Sequence, residues 1–356
     1  MTQETDIGIL KSIWRKDESG LWTAHDMQSI YLKPRKDFER DYFKIEPEIG
    51  LLTQRPGSVF DNLFATFGTA DFLVGQSIVP IVAWNDGDTE MRCIGTGFFI
   101  SASGLLMTAG HVMRDPVDEE YTNLTQVGAK SFRMGGTLRF GIMLAINPAV
   151  RNAPFNIPQQ LRDSSSIICP FEWVEHWGRR IESPLFHQKD GFKLEIDIAI
   201  CKVKEAQMVG PYQPINIGQH NLKVGDRAVA IGYAEMKNIP INVGVGQAVK
   251  LPELIVSVGS VTNVYPDNMT EKQVPTPGPC FEFDAKIPGK MSGAPVFVGS
   301  GILAKGVVSG SYHPEKRSFG CLVSPVMSIK LRGGQSLIEL MNSGNVGIAK
   351  IVGFGL

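Results

Sequence analysis

Charge imbalance, long apolar stretches and an export signal are all missing from this 356-residue chain. The 35 Lys and Arg residues nearly match the 36 Asp and Glu residues, and the formal net charge is −1. Nothing in that balance favours nucleic acid or an anionic membrane as a partner. No apolar run reaches the roughly 18 residues of a membrane span, and the start, MTQETDIGIL, lacks the order of a secretory signal. We therefore expect a cytoplasmic protein that binds neither nucleic acid nor membrane.

Cysteine is scarce and irregularly spaced. The five residues form no CxxC pair and no Cys/His cluster; they are Cys93, Cys169, Cys201, Cys280 and Cys321. An odd number without an export signal predicts reduced, buried thiols, and the spacing argues against a structural zinc site. No metal and no organic cofactor is expected.

Short apolar stretches dominate from about residue 75 onward. Glycines, prolines and polar turns separate them, as in SIVPIVAW, CIGTGFFIS, IDIAICKV, RAVAIGY and GVVSGSY. Many short strands with few helical segments predict an all-β fold of antiparallel barrels. The clearest late helix is predicted at SLIELMNSG, and the tail IAKIVGFGL is interpreted as an edge strand.

Residues 1–70 have a different pattern of polar and apolar residues from the rest of the chain. LWTAHDMQSIYLK has partial alternation, which we interpret as a strand pair, and Pro47 and Pro56 interrupt the segment that follows. Apolar residues from Val59 to Phe67 recur at helical spacing and predict an amphipathic helix packed on the main domain.

Three residues have surroundings that suit catalysis by an activated serine. His111 leaves a strand on a small-residue elbow in TAGHV, where its ring can face a cleft. Asp197 interrupts the apolar run EIDIAI, and a carboxylate there needs a partner such as the Nδ1–H of a histidine. Ser292 sits in IPGKMSGAPVF, a loop that can present Oγ outward and align backbone N–H groups as an oxyanion hole.

The motifs TAGH, D-I-A-I and SGAP, in this order, resemble those of the trypsin/chymotrypsin-like serine peptidases, particularly the bacterial members without disulfides. The resemblance covers roughly residues 75–343. It implies two six-stranded antiparallel β-barrels with a cleft between them, a short C-terminal helix and an N-terminal extension. It also implies that His111 is the general base and acid, that Asp197 orients it, and that Ser292 forms an acyl-enzyme.

The resulting domain prediction has three parts. Residues 1–70 form an N-terminal extension, and residues 71–343 form the peptidase domain. The first barrel is expected at about 75–205 and the second at about 215–335. Residues 344–356 form a C-terminal tail.

The loop before Ser292 departs from the family pattern. Lys290 stands where the family has a glycine that donates an oxyanion-hole N–H together with the nucleophile's own. A side chain disfavours that backbone conformation, so the hole is expected either to assemble on substrate binding or to be defective. Met291 replaces the acidic residue that anchors a newly freed N-terminus, which argues against activation by cleavage.

Substrate contacts are predicted at three further residues. Lys286 occupies the position that resembles the base of the primary specificity pocket, where it would favour acidic substrate side chains or point to solvent. The strand that carries Ser309 and Gly310 is the expected pairing edge for an extended peptide, and Ser309 is a candidate donor to Asp197. The long insert between His111 and Asp197, with its aromatic residues Phe171, Trp173 and Trp177, is expected either to border the substrate cleft or to pack on the first barrel, and packing is the favoured interpretation. His176 and His187 are interpreted as surface residues.

The predicted function is that of a serine endopeptidase acting on protein or peptide substrates. The alternative is a weak or inactive peptidase fold that serves as a binding or scaffold module. An esterase with the same triad stays open, although the sequence around Ser292 lacks the G-x-S-x-G elbow of the α/β-hydrolases. The sequence gives no prediction of oligomeric state.

Overall fold

The computed structural model describes most of the chain from residue 74 onward and three strands before it. The described residues are 12–16, 22–35, 42–51, 74–101, 103–113, 124–126, 131–134, 138–145, 166–181, 191–204, 212–218, 222–241, 253–265, 274–299, 303–312, 317–331, 333–344 and 351–352.

Strands dominate the described residues. They are β1 (Ser12–Lys16), β2 (Trp22–Pro34), β3 (Tyr42–Leu51), β4 (Ile78–Asn85), β5 (Glu90–Phe99), β6 (Leu105–Thr108), β7 (Leu124–Gln126), β8 (Ser131–Met134), β9 (Leu138–Ala145), β10 (Ser166–Ile181), β11 (Gly191–Val203), β12 (Ile217–Gly218), β13 (Arg227–Tyr233), β14 (Ile239–Pro240), β15 (Leu254–Tyr265), β16 (Cys280–Phe283), β17 (Pro295–Val298), β18 (Ala304–Tyr312), β19 (Arg317–Leu322) and β20 (Ile351–Val352). Within these described ranges, short 3₁₀ helices cover Gly110–Met113 and Ser324–Ser328, and an α-helix, α1, covers Leu337–Gly344.

Six strands close the first barrel. Their order is β11-β6-β5-β4-β9-β10, and pairing of β10 with β11 completes the ring. Strands β4 and β6 are almost wholly buried, as expected for strands that line a small barrel. Phe98 and Phe99 at the end of β5 are fully buried and fill this core.

Six further strands close the second barrel. β13 pairs with β15, β15 with β16, β16 with β19, β19 with β18, β18 with β17, and β17 returns to β13. Its core contains Phe281 and Phe283, whose ring centroids lie 5.5 Å apart. The predicted fold of two six-stranded antiparallel barrels is therefore confirmed.

The N-terminal strands extend the sheet of the second barrel. β3 pairs with β15 through Phe43–Val256 and Tyr42–Ser257, and β2 and β1 follow outward. The interpretation of LWTAHDMQSIYLK as a strand pair was wrong, because its residues from Trp22 onward belong to one long strand, β2. Its hairpin partner is β3, which continues through Pro47. The helix predicted over residues 59–67 lies outside the described residues.

The C-terminal predictions are confirmed. α1 occupies most of SLIELMNSG, and Glu339 in its first turn accepts from the backbone N–H of Ser336 at 2.6 Å. The tail forms β20, which pairs in parallel with β12 through Ile351 and Ile217. No helix among the described residues is long and apolar enough to cross a membrane.

All five cysteines are buried free thiols, as expected. Burial raises the pKa of Cys93, Cys169 and Cys280 to about 11. Burial likewise raises the pKa of Cys201 and Cys321 well above the usual thiol value. A thiol that stays protonated and buried is a poor nucleophile. These cysteines are therefore poor candidates for a reactive residue, and Ser292 stays the candidate nucleophile.

Candidate active site

His111 lies at the exit from the first barrel. It is the second residue of the 3₁₀ helix Gly110–Met113, which follows β6 directly. The side chain is 40% exposed, so the outer edge of the ring is accessible. Its Nδ1 atom lies 2.8 Å from Oδ2 of Asp197. Because an ionised carboxylate only accepts hydrogen bonds, Nδ1 carries the proton in the neutral ring and Nε2 is left as the basic nitrogen.

Asp197 is buried on β11 and accepts hydrogen bonds from three donors. The His111 backbone N–H donates to Oδ1 at 2.8 Å, while the His111 ring and the Ser309 hydroxyl donate to Oδ2. Burial alone would raise the pKa of this carboxyl. The charge of protonated His111 and the three hydrogen bonds outweigh that effect and hold the pKa of Asp197 below its usual value. The carboxylate is therefore ionised and fixed at neutral pH.

The loop that carries Ser292 is held against the first barrel. The backbone N–H of Thr96 on β5 donates to the Ser292 carbonyl at 2.9 Å. The next residue, Gly293, has φ +90°, and a Cβ built there would lie 2.0 Å from the Thr96 carbonyl oxygen and 2.1 Å from Oγ1 of Thr108. Only glycine fits this contact, which explains the small residue after Ser292.

Ser309 contacts both ends of the predicted triad. Its hydroxyl donates to Asp197, and its backbone oxygen accepts from the Ser292 hydroxyl at 3.4 Å. The predicted donation from Ser309 to Asp197 is thus present in the structure. His111, Asp197 and Ser292 are brought together at one place, with His111 and Asp197 from the first barrel and Ser292 from the second.

Lys290 adopts a left-handed backbone conformation, although a side chain at this position disfavours it. Its φ is 74°, and among the residues that the structure describes the other non-glycine residue with positive φ is Glu235, at 49°. The two are linked, because the Glu235 backbone N–H donates to the Gly289 carbonyl at 3.0 Å. This bond fixes the peptide that joins Gly289 to Lys290. Within the described residues, the N–H groups of Lys290 and Ser292 donate to no protein acceptor.

Beyond Val308 and next to Ser292, one edge of β18 has no paired strand among the described residues. Val308 exchanges backbone hydrogen bonds with Gly293 and Ala294, and its carbonyl and N–H both take part. Beyond it, the pairs from Gly310 to Tyr312 are with β19 on the other edge. A Cβ added at Gly310 would meet nothing within 4 Å, so the space over this residue is free.

The Lys286 side chain lies over an aromatic ring of the N-terminal segment. Its ammonium lies 5.7 Å from the centroid of the Tyr42 ring, which belongs to β3 of the N-terminal segment. Tyr42 is itself 3% exposed and packs with the core of the second barrel. Met291, which replaces an acidic residue of the family pattern, is fully buried in that same core.

The aromatic residues of the insert between His111 and Asp197 belong to the first barrel itself, because the part of the insert that carries them is one of its six strands. Residues 166–181 form β10, in which Trp177 is buried and Phe171 and Trp173 pack against the core. The interpretation of His176 as a surface residue was wrong, because it is 1% exposed on β10 between β11 and β8. His187 lies outside the described residues.

Thr96 is a site residue that sequence reasoning missed. Its hydroxyl donates to the Lys290 carbonyl at 3.2 Å and accepts from the Tyr233 backbone N–H at 3.0 Å. Its carbonyl accepts from the Thr108 hydroxyl at 2.7 Å. The available signal was a buried hydroxyl between two glycines, in G-T-G, where an apolar residue would otherwise be expected.

Comparison with known proteins agrees with this architecture. The sequence matches the family described as "Trypsin-like peptidase domain" over residues 95–304, which is more than half of the chain. No curated protein matches it. Two solved structures are similar to it. The crystal structure of Deg5 has 17% identity and a TM-score of 0.40, and the match covers 80% of this chain and 95% of Deg5. The MamO protease domain from Magnetospirillum magneticum (apo form) has 12% identity and a TM-score of 0.38, with coverage of 70% and 92%. On the strength of the family match, the chain belongs to the trypsin-like peptidase domain family.

Proposed function

We propose that this protein is a serine endopeptidase that hydrolyses peptide bonds through an acyl-enzyme on Ser292. The observation that carries the proposal is the buried Asp197 carboxylate, which receives three hydrogen bonds from His111 and Ser309. A carboxylate held in this way fixes the His111 tautomer and stabilises the imidazolium that forms when Nε2 takes a proton. Ser309 in turn links Asp197 to Ser292.

The first step requires a small movement of the Ser292 hydroxyl. At rest it donates to the Ser309 carbonyl at 3.4 Å, a long and weak bond. Rotation toward Nε2 of His111 lets the ring accept the proton while Oγ attacks the substrate carbonyl carbon. The proton then passes from His111 to the leaving amine, and water repeats the sequence to release the acid. The Ser309 carbonyl, vacated by Ser292, becomes an acceptor for a substrate N–H.

The backbone N–H groups of Lys290 and Ser292 are the proposed oxyanion hole. Two properties support this assignment: both groups lack a protein acceptor within the described residues, and the Gly289–Lys290 peptide is fixed by Glu235. Donors that are already oriented stabilise the developing negative charge without reorganisation. The conformation of Lys290 favours a hole formed at rest over one that must assemble.

The proposed substrates are proteins or peptides that bind in extended form. The open edge of β18 at Ser309 and Gly310 offers backbone groups for pairing with such a chain. Strand pairing of this kind recognises the main chain of the substrate. Any preference for particular substrate side chains therefore has to come from the space beside Ser292.

Labelling with a fluorophosphonate tests the proposal, because this probe reacts with activated serines. We expect wild-type protein to be labelled at neutral pH, and Ser292→Ala and His111→Ala to lose labelling by at least about 1,000-fold. Ser328→Ala is the matched control. It removes an exposed serine whose hydroxyl also donates to a backbone carbonyl, that of Pro325, and it should be labelled like the wild type. Absence of labelling in folded wild-type protein contradicts the proposal.

A second candidate is a catalytically weak fold that binds peptides without cleaving them. The resting donation of the Ser292 hydroxyl to Ser309, instead of to His111, is the observation in its favour. The two candidates separate on the same experiment, since a binding module would still retain peptide while failing to react with the probe. Cytoplasmic location stays a prediction of the sequence.

A further inference from the structure

The N-terminal strand β3 carries two neighbouring aromatic residues that lie on opposite faces of the second-barrel sheet. Tyr42 is directly opposite Ser257 of β15, and Phe43 is opposite Val256. Paired residues share one face of a sheet, and successive residues along a strand alternate between the two faces. Tyr42 belongs to the buried core of the second barrel, whereas Phe43 packs against the cluster that contains the core of the first barrel. One strand therefore contributes an aromatic side chain to each core.

The backbone of Tyr42 is fixed along both of its edges. Besides its pairing with Ser257, its carbonyl accepts a hydrogen bond at 3.1 Å from the N–H of Arg35, the residue after β2. Two ion pairs join the same region to the residue before β15, because Lys44 and Arg35 lie 2.5 and 3.4 Å from the carboxylate of Glu253. The Tyr42 ring is therefore presented by a strand that is attached to the second barrel.

The Tyr42 ring contacts the pre-nucleophile segment, residues 285–291. The Lys286 ammonium lies 5.7 Å from the ring centroid, within the range of a cation–π interaction. Ala285 and Met291, at the two ends of this segment, are buried in the same core as Tyr42. The N-terminal strand therefore forms part of the core on which the pre-nucleophile segment lies.

Hydrogen bonds from the β18–β19 pair fix the start of the same segment. The Ser318 hydroxyl donates to the Ala285 carbonyl at 2.7 Å, and the Ser311 hydroxyl donates to the Ile287 carbonyl at 2.9 Å. The two serines are directly opposite each other in this strand pair, so their side chains share one face. Tyr42 contacts the lysine that lies between these two carbonyls, and thus supports the segment from the N-terminal strand.

We propose that Tyr42 is a positioning residue for acyl transfer, through which the N-terminal strand holds the pre-nucleophile segment in its reactive conformation. The inference rests on the proposed function. A shift of this segment moves the Lys290 N–H, one of the two proposed oxyanion-hole donors, and a hydrogen bond to the developing charge weakens when its donor is misplaced. Because Tyr42 is 3% exposed, it acts through this segment and not by contact with substrate. The N-terminal segment is on this account a working part of the peptidase.

The rate of labelling by a simple alkyl fluorophosphonate tests the inference, because this probe carries no peptide side chain. We expect folded Tyr42→Ala to react about tenfold or more slowly than wild type. Tyr42→Phe keeps the ring and should react within about twofold of wild type. Phe43→Ala is the matched control, since it removes the neighbouring ring on the opposite face of the same strand. It should lower the urea midpoint of unfolding but keep the wild-type labelling rate.

Lys286→Ala removes the same contact from the other side and leaves the N-terminal strand intact. We expect it to slow labelling by about threefold or more. Variants that act through one contact have non-additive effects. The double variant Tyr42→Ala/Lys286→Ala should therefore react no more slowly than Tyr42→Ala alone.

Three results would overturn the inference alone. They are a wild-type rate in folded Tyr42→Ala, a rate in Phe43→Ala that falls as far as in Tyr42→Ala, and effects of Tyr42→Ala and Lys286→Ala that multiply in the double variant. If Tyr42→Ala does not fold, Lys286→Ala decides, and an unchanged rate in that variant overturns the inference. Failure of the probe to label folded wild type would instead overturn the proposed function, and the inference with it.

Discussion

The backbone conformations of Glu235 and Lys290 set the arrangement of the loop before Ser292. Both have positive φ although neither is glycine. Each such residue costs about 1–2 kcal/mol relative to an ordinary conformation. The hydrogen bond from Glu235 N–H to the Gly289 carbonyl joins the two strained positions. Strain concentrated at a loop that orients donors is typical of functional sites.

Replacement of Lys290 by glycine should relieve this strain. We expect Lys290→Gly to raise the free energy of unfolding by up to about 1 kcal/mol, since glycine adopts positive φ without penalty but loses more chain entropy. Fluorophosphonate labelling should be retained, because the N–H is unchanged. Urea unfolding measures the first quantity. Lys223→Gly, at an exposed lysine with ordinary φ, is the control and should destabilise; a Lys290→Gly protein destabilised to the same extent would contradict the account.

At this scale, the sequence was informative where a polar residue interrupted an apolar or small-residue context. Asp197 within EIDIAI and His111 after TAG were identified in this way, whereas Ser309 was a candidate donor through its place on the strand expected to pair with substrate. The misinterpretation of His176 has the opposite cause. The neighbours of this residue in the sequence gave no indication that β10 would be paired along both edges at His176, with β8 and with β11, or that the side chain would be buried.

Strand pairing around Glu282 connects three elements of the second barrel. Arg317 on β19 donates to Glu282 on β16 through Nε at 2.6 Å and Nη2 at 3.1 Å. The Tyr265 hydroxyl on β15 donates to the same carboxylate at 2.7 Å. The hydrogen bond from Arg317 is the main cause that holds the pKa of Glu282 below its usual value, against the effect of burial.

Stability should depend on pH through this carboxylate. Because folding lowers its pKa, its contribution is fully present above the unfolded value and is lost as the pH falls through the folded pKa. We expect Glu282→Gln to lower the free energy of unfolding by about 1–2 kcal/mol at pH 7, and the difference from wild type to shrink at an acidic pH below the folded pKa. Urea titrations at several pH values measure it.

The matched control is an ion pair of similar geometry on the surface. Arg139 donates to Asp86 at 2.6 and 2.9 Å, but both side chains are largely exposed. Asp86→Asn should leave stability unchanged at either pH, because exposed pairs contribute little. A Glu282→Gln difference that stays constant with pH would show that its charge is not the cause.

Two barrels meet across the candidate active site, and Thr96 makes several of the polar contacts described there. It binds Ser292, Lys290 and Tyr233 of the second-barrel side through its backbone N–H and hydroxyl. The glycine that precedes it permits the approach: a Cβ on Gly95 would lie 2.6 Å from Val112 and 3.0 Å from the Ser292 carbonyl. The contact between the barrels therefore also positions Ser292.

Thr96→Val tests this coupling between assembly and site. The variant keeps the shape but leaves the Tyr233 N–H and the Lys290 carbonyl without the hydroxyl. We expect a loss of about 1–3 kcal/mol in the free energy of unfolding, together with a fall of about tenfold in the fluorophosphonate labelling rate. Ile142→Val, a core change in β9 of the first barrel, is the control, and should destabilise by about 1 kcal/mol without slowing labelling. Equal labelling rates in Thr96→Val and wild type would contradict the coupling.

For the whole molecule, the alternation of short strands and glycine-rich turns predicted antiparallel barrels. The family resemblance carried by the three motifs predicted two barrels of six strands each. The attachment of β1–β3 to β15 was not predictable from pattern. Partial alternation of polar and apolar residues predicts a strand, but it does not show which other strand will pair with that strand's edge. The same limit applies to Ser311 and Ser318, whose shared face depends on the register of β18 and β19.

The central claim is that Ser292 becomes covalently acylated during turnover. Intact-protein mass spectrometry after mixing with a peptide ester and quenching in acid measures this directly, with peptide mapping to locate the adduct. The account predicts a mass increase equal to the acyl group, located on Ser292 and absent from Ser292→Ala. Turnover of the ester without any adduct on Ser292, or a folded wild type that neither turns over nor acquires the adduct, would contradict it.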